Sequence, residues 1–295
     1  MYRYNEDTLS KWSKPASETE EKKIENTISM IKKAIKNIDN DQMDFEIFVQ
    51  GSYGNNTNVR IDSDVDVNIM LKNVFYLCLP DNKTLNDYGF CNSNLDYYEY
   101  KYNIVRALKN VFGEKNVIPG NKSVKIRSNS YRVNADCVIT MQYRNYKKCN
   151  SLNPNKYVEG IKYFSQDKNE IINYPKRHIE NGIIKNNNTN HRYKKLVRIF
   201  KRIRNEMYEK HLVDKNKITS FLVECLIWNV PDKYINGYYS WNDRIKNSII
   251  YILNSTNYNN WNEVSDELPL FDNNRKWSIE DVKYFMNHAY IYMGY

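Results

Sequence analysis

Ile24, Ile28, Ile31, Ile35 and Ile38 recur at spacings of four and three, and so draw one apolar stripe along a helix. Ser17-Glu18-Thr19-Glu20 is a capping box that opens this helix, and Asp39-Asn40-Asp41 closes it. The period then changes from helical to two. Phe45 to Gln50 reads as a strand, residues 51–63 as a polar loop, and residues 64–70 as a second strand. Residues 80–95 are polar and loop-like. A tyrosine-rich helix is predicted over 97–112, ended by Gly113. Segments 122–128 and 131–142 read as paired strands. Residues 145–190, rich in Asn and Lys and broken by Pro154 and Pro175, read as a crossing between lobes. Beyond it the pattern is helical. Leu196, Phe200, Ile203 and Met207 form a stripe within 192–207, residues 220–230 form a compact apolar helix, and Ser278 caps a helix reaching Met293. The chain has no internal repeat.

Polar residues interrupt this pattern where chemistry is expected. Asp64 and Asp66 alternate with Val65 and Val67. On a strand, Asp64, Asp66 and Asn68 share one face, and Val65, Val67 and Ile69 share the other. Carbons two residues apart on a strand are separated by roughly 6.6 Å, close enough for side chains to converge on a divalent ion. Two carboxylates on one open face repel each other unless a cation lies between them. Gly51-Ser52 follows the first strand directly. Glycine lets backbone N–H groups approach an anion, and serine adds a hydroxyl, so the turn reads as a phosphate cradle. Asp136 lies between Ala135 and Cys137 on a later strand, where a buried carboxylate needs a partner or a metal.

A Gly-Ser turn, about a dozen residues, Asp-x-Asp and a third Asp on a later strand together resemble the polymerase-β-like nucleotidyltransferases. Trp12-Ser13-Lys14-Pro15-Ala16-Ser17, Gln50-Gly51-Ser52-Tyr53 and Asn56-Thr57-Asn58-Val59 narrow the resemblance to the bacterial CD-NTases. These are relatives of cyclic GMP–AMP synthase and oligoadenylate synthase that make cyclic oligonucleotide signals. The resemblance implies an α+β fold: a polymerase-β-like nucleotidyltransferase core with a mixed sheet, then a helical C-terminal lobe. The expected division is a core with its N-terminal helix over 1–160, and a helical lobe closing the nucleotide cleft over 161–295. Asp62 has the same strand parity as Asp64, but the family pattern places an apolar residue within the metal-binding pair. Val65 fits and Ser63 does not, so Asp64 and Asp66 are the expected pair, with Asp62 in a loop or supporting role.

The resemblance also implies roles. Asp64, Asp66 and Asp136 are the catalytic and metal-binding residues, with Mg²⁺, or Mn²⁺ in its place, as cofactor. Gln50, Gly51 and Ser52 are expected at the nucleotide. A lysine in the first helix of the second lobe and a serine opening the next helix reach the triphosphate in this family, and Lys201 and Ser220 match those places. Ser220 also suits a routine helix cap. Asn173 and Tyr174 can border a base, one by pairing and the other by stacking. His178, close by, is read as a structural or phosphate-facing residue. The expected product is a cyclic dinucleotide messenger that acts on a downstream effector, in anti-phage signalling.

Bulk properties narrow the field. The five cysteines at 78, 91, 137, 149 and 225 are scattered and odd in number, which excludes a disulfide framework and favours a cytoplasmic thiol reading. The four histidines have no zinc-ligand spacing with them. No apolar run approaches the roughly 20 residues that span a bilayer, so no membrane is expected, and no leader pattern opens the chain. The net charge of +9 suits phosphate-rich ligands: nucleoside triphosphates as substrates, and an activating RNA on the basic surface. Arg192, Lys194, Lys195, Arg198, Lys201, Arg202 and Arg204 concentrate on one helix, where a solvated face is the plainer reading. Two rival functions share these residues. One is an enzyme that tails RNA or tRNA ends on the same fold. The other is a nucleic-acid sensor or binding module.

Overall fold

The computed structural model describes residues 2–15, 18–36, 38, 43–59, 64–149 and 151–295, with the side chains of 18–20 left out. Its helices are α1 (Glu6–Trp12), α2 (Glu18–Lys36), α3 (Gly51–Gly54), α4 (Tyr97–Phe112), α5 (Pro175–Asn188), α6 (Tyr193–Glu209), α7 (Ser220–Trp228), α8 (Asp232–Asn236), α9 (Trp241–Asn254) and α10 (Ile279–Met293). The strands are β1 (Phe45–Gln50), β2 (Val65–Cys78), β3 (Val117–Pro119), β4 (Val124–Ile126), β5 (Ala135–Asn145), β6 (Val158–Phe164) and β7 (Glu170–Asn173). The capping box at Ser17, the helix stop at 39–41 and the question of Asp62 lie outside the described residues.

The chain forms two compact units. One comprises Ser17–Tyr53 and Ile61–Lys176, and holds the sheet. The other comprises Met1–Ala16, Gly54–Arg60 and Arg177–Tyr295, and is helical.

The sheet is mixed, in the order β1-β2-β5-β4-β3, with β6 paired to β5 and to β7. β2 and β5 run parallel, with Asp66 opposite Asp136. The other pairings are antiparallel. Val65, Val67 and Ile69 are fully buried, as the alternation predicted. They share one core with Ile31 and Ile35 of α2 and Ile104 and Leu108 of α4. Each such side chain contributes roughly 1.5–3 kcal/mol by leaving water. Two tyrosines of α4 also reach strand carbonyls. Tyr97 Oη donates to Ile139 O at 2.9 Å and Tyr100 Oη to Ile69 O at 3.2 Å. Asp96 caps α4 by accepting from the N–H groups of Tyr98 and Glu99.

Two sequence expectations are corrected. The strand after Asp64 runs on to Cys78, with a register shift between Leu71 and Phe75 where the pairing is irregular. Residues 145–190 are not a crossing loop: they carry β6, β7 and α5, and the sheet continues to Asn173, past 160. Short strands in which charges fall between apolar residues, such as β6 with Glu159 and Lys162 beside buried Ile161 and Tyr163, resemble polar loops in composition.

In the helical unit, α6 and α7 form the centre of a core that includes Phe200, Ile203, Leu222, Leu226, Ile249 and Phe285. Leu9 of α1 is buried in it, which explains why the first sixteen residues belong here. The basic helix α6 is only partly a solvated face: Lys195 is exposed, and Arg192, Lys194 and Arg202 are half-buried. Arg198, Lys201 and Arg204 are buried. Arg198 donates to Ser13 O at 2.7 Å and Asn56 O at 2.5 Å, and Arg204 to Ile218 O at 2.6 Å. Buried guanidinium groups persist only with acceptors, and here they take otherwise unpaired carbonyls.

Candidate active site

Three carboxylates gather at one end of the sheet. Asp66 and Asp136 face each other in register on the parallel strands β2 and β5. Asp64 lies just before β2, whose first N–H, on Val65, bonds to Asn134 O at 3.0 Å. Burial, then the charges of Asp136 and Asp64, push the Asp66 carboxyl up to about 7. Burial and Asp64 also raise Asp136, against the opposing pull of Lys125 and a hydrogen bond from Ser123. These are the strains expected of like charges crowded in a half-buried place.

Gly51 closes over the cluster. Its φ is +63°, and a Cβ there would lie 2.3 Å from Asp66 Oδ2. Only glycine combines that backbone with that approach. Ser52 follows within the single turn α3. Below Asp66 on β2, Asn68 is fully buried rather than presented alongside the two aspartates. Its amide donates to Gln50 Oε1 at 3.1 Å, and its Oδ1 accepts from Thr140 Oγ1 at 2.8 Å. Gln50, read as a nucleotide contact, thus braces β1, β2 and β5 beneath the carboxylates. The apolar spacing of β2 gave no hint of this polar rung.

Lys125 was missed as well. It is the middle residue of β4, opposite Asp136, and its Nζ lies 2.7 Å from Asp64 Oδ2. That hydrogen bond raises the lysine pKa. The signal was available: Lys125 sits between buried Val124 and Ile126, on the exposed parity of a strand.

Among the described residues, no group of three or more His, Cys, Asp or Glu side chains is arranged to hold a metal ion as it stands. Asp64 is turned to Lys125. The donor set still suits a hard divalent ion: carboxylate oxygens, two of them on neighbouring strands in register, each destabilised as a free anion.

The remaining expected residues divide. Asn173 ends β7, opposite Ile161 of β6. Tyr174, expected to stack on a base, is only 5% exposed. Its ring meets Tyr143 edge-on at 6.3 Å, and a Cβ on Gly160 would approach it to 3.0 Å. It is a core ring, and the stacking role is withdrawn because no face is open.

Ser220 is the first residue of α7, and Thr219 does the capping, accepting from Leu222 N–H at 3.0 Å. The serine is therefore not spent on the cap. Beside it Phe221 is 37% exposed and stacked on His178, with ring centroids 6.0 Å apart. Lys201 is 2% exposed. Its Nζ donates to Glu224 Oε2 at 2.6 Å and Thr57 Oγ1 at 2.9 Å. The expectation that this ammonium stands free for a triphosphate is not met, since reaching one would break a buried ion pair.

Glu224 is the centre of that network. Its carboxylate also accepts from Asn55 Nδ2 at 2.5 Å and Thr57 Oγ1 at 2.7 Å, and lies 2.9 Å from His178 Nε2. Burial opposes its ionisation, but the charge of Lys201 and the bond to His178 outweigh that and hold the carboxyl well below its ordinary range. A lone glutamate inside an apolar helix was a legible signal of this pairing.

With the geometry in place, the comparisons are specific. Residues 180–294 match the family model of the cGAS/DncV-like nucleotidyltransferase C-terminal helical domain. A cyclic dipyrimidine nucleotide synthase of Cecembia lonarensis is 43% identical over 97% of each chain. A cyclic dipurine nucleotide synthase of Elizabethkingia meningoseptica is 34% identical over 99% of each. The solved Rhodothermus marinus c-UMP-AMP synthase with Apcpp and Upnpp superposes with a TM-score of 0.88, at 30% identity, over 99% of this chain and 98% of that one. The fold, the helical domain and the near full-length identity agree: this chain belongs to the bacterial CD-NTases and is a nucleotidyltransferase.

Proposed function

We propose that this enzyme joins two nucleoside triphosphates into a cyclic dinucleotide messenger, with a pyrimidine in at least one position. The observation that carries the reading is the convergence of Gly51 on Asp66, with Asp136 in register beside it. A phosphate turn and a carboxylate cluster thus meet within one side chain's reach. Near full-length identity to cyclic dinucleotide synthases supports the product class, and 43% identity to a dipyrimidine synthase supports the pyrimidine.

Asp64, Asp66 and Asp136 would hold Mg²⁺ or Mn²⁺. When bound, the metal supplies Lewis-acid activation of the attacking 3′-hydroxyl and neutralises the leaving pyrophosphate. The chain's own groups do the rest. The N–H groups around Gly51 and the Ser52 hydroxyl orient the triphosphate. Asp136 is the residue we assign to take the hydroxyl proton. The rung of Gln50, Asn68 and Thr140 keeps the strands from shifting beneath the cluster. In the helical unit, Ser220, which is not the cap of α7, offers a hydroxyl to phosphate. The linear intermediate then closes at the same carboxylates. An anti-phage role, an effector reached through the diffusible product, and a cytoplasmic setting are part of this proposal. Among the described residues no helix is long and apolar enough to cross a membrane. Activation by RNA finds no support on α6, whose central cations are buried.

The test is incubation with labelled nucleotides and Mg²⁺, without primer. A small product that resists alkaline phosphatase, absent with Asp66→Asn, is expected. A ladder that grows from added RNA would move the assignment to the tailing enzymes.

A further inference from the structure

The carboxylate cluster contains a cation of its own. Lys125 projects from β4 on the parity opposite buried Val124 and Ile126, with its backbone paired to Asp136. Its Nζ donates to Asp64 Oδ2 at 2.7 Å, and the two side chains are 44% and 26% exposed. So open an ion pair contributes little to stability, and its place points to another use. An ammonium held 2.7 Å from Asp64 Oδ2 repels a divalent ion brought to the same carboxylate, whose ligand oxygens sit at about 2.0–2.1 Å for Mg²⁺. A lysine on a flexible stem can leave, and its three N–H donors suit phosphate oxygens equally well.

We propose that Lys125 is a positioning residue, a tethered cation that holds Asp64 before the metal arrives, competes with it, and passes to the phosphate oxygens of the bound nucleotide once Asp64 turns to the metal. The exchange keeps charges paired at each stage. It gives an order to assembly of the site: metal and nucleotide each make room for the other. The inference rests on Asp64, Asp66 and Asp136 being the metal-binding set.

The experiment is a Mn²⁺ titration followed by electron paramagnetic resonance, without nucleotide, on wild type, Lys125→Met, Lys125→Arg and Asp66→Asn. Removing the competing charge should tighten Mn²⁺ binding roughly 3- to 30-fold in Lys125→Met. Lys125→Arg should stay near wild type. With saturating Mn²⁺, Lys125→Met should bind a non-hydrolysable nucleoside triphosphate analogue about 10-fold more weakly, the loss of one charge-assisted hydrogen bond. Circular dichroism checks that the exposed substitution leaves the fold intact. If Asp66→Asn abolishes Mn²⁺ binding while Lys125→Met binds it no more tightly than wild type, the lysine proposal falls and the metal assignment stands. Mn²⁺ binding that survives Asp66→Asn overturns both.

Discussion

A side chain on Gly51 would collide with Asp66: the first carbon would stand 2.3 Å from Oδ2 of that carboxylate. The turn and the carboxylate face are therefore built to a single clearance. Gly51→Ala should lose turnover by at least 100-fold. The left-handed backbone, at φ +63°, adds roughly 1–2 kcal/mol of strain for a residue bearing Cβ. The checks are steady-state rates together with thermal melting. An active Gly51→Ala enzyme would mean that the turn does not close on Asp66 during the reaction.

Asp64→Asn, Asp66→Asn and Asp136→Asn should each abolish product while remaining folded, because the valine face of β2 is untouched. Near-complete loss from all three, with unaltered circular dichroism, is the expected pattern. Normal activity in Asp64→Asn would break the register that places it with Asp66.

Lys201 and Glu224 are buried partners, 2% and 3% exposed. Removing either leaves a buried charge, at a cost of about 3–5 kcal/mol. Lys201→Met should therefore lower the melting temperature strongly, and the double variant Lys201→Met, Glu224→Leu should recover part of the loss. The sign with pH follows from the depressed carboxyl of Glu224. Its contribution is present above the ordinary glutamate range of about 4.3 and is lost as pH falls through the lowered value in the folded protein. The gap between wild type and Glu224→Gln should hold from pH 8 to about 5 and close in stronger acid. A Lys201→Met protein of full stability with weakened nucleotide binding would restore the lysine to the triphosphate.

The placement of the carboxylates was legible in the sequence because alternation at period two fixes which residues share a face. Val65 and Val67 had to go inward, so Asp64 and Asp66 had to face the other way. Gly51 was legible from its place at a strand end. The short strands β6 and β7 were not, since short strands with charges between apolar residues look like loops. Nor was the burial of Arg198 and Arg204 on α6, because a run of lysines and arginines reads as a solvated face until the carbonyls those two satisfy are seen. The Gln50–Asn68–Thr140 rung depends on strand neighbours that are distant in sequence, which single-strand patterns do not reveal; for Lys125 the pattern gives the exposed parity but not the carboxylate it meets.

Asn173 ends β7 with an amide able to pair, and a role in base choice is proposed for it on that ground. Asn173→Ala should change which bases enter the product, with all four nucleotides competing, more than it changes total turnover. An unaltered product mixture would remove it from the base pocket.

The most direct measurement is mass spectrometry of the product formed from all four nucleoside triphosphates with Mg²⁺ and no primer. The account predicts one small cyclic dinucleotide containing a pyrimidine, lacking terminal phosphates, resistant to alkaline phosphatase and cleaved by phosphodiesterase. Linear products that keep a triphosphate end, or that lengthen with time on an RNA primer, would contradict it.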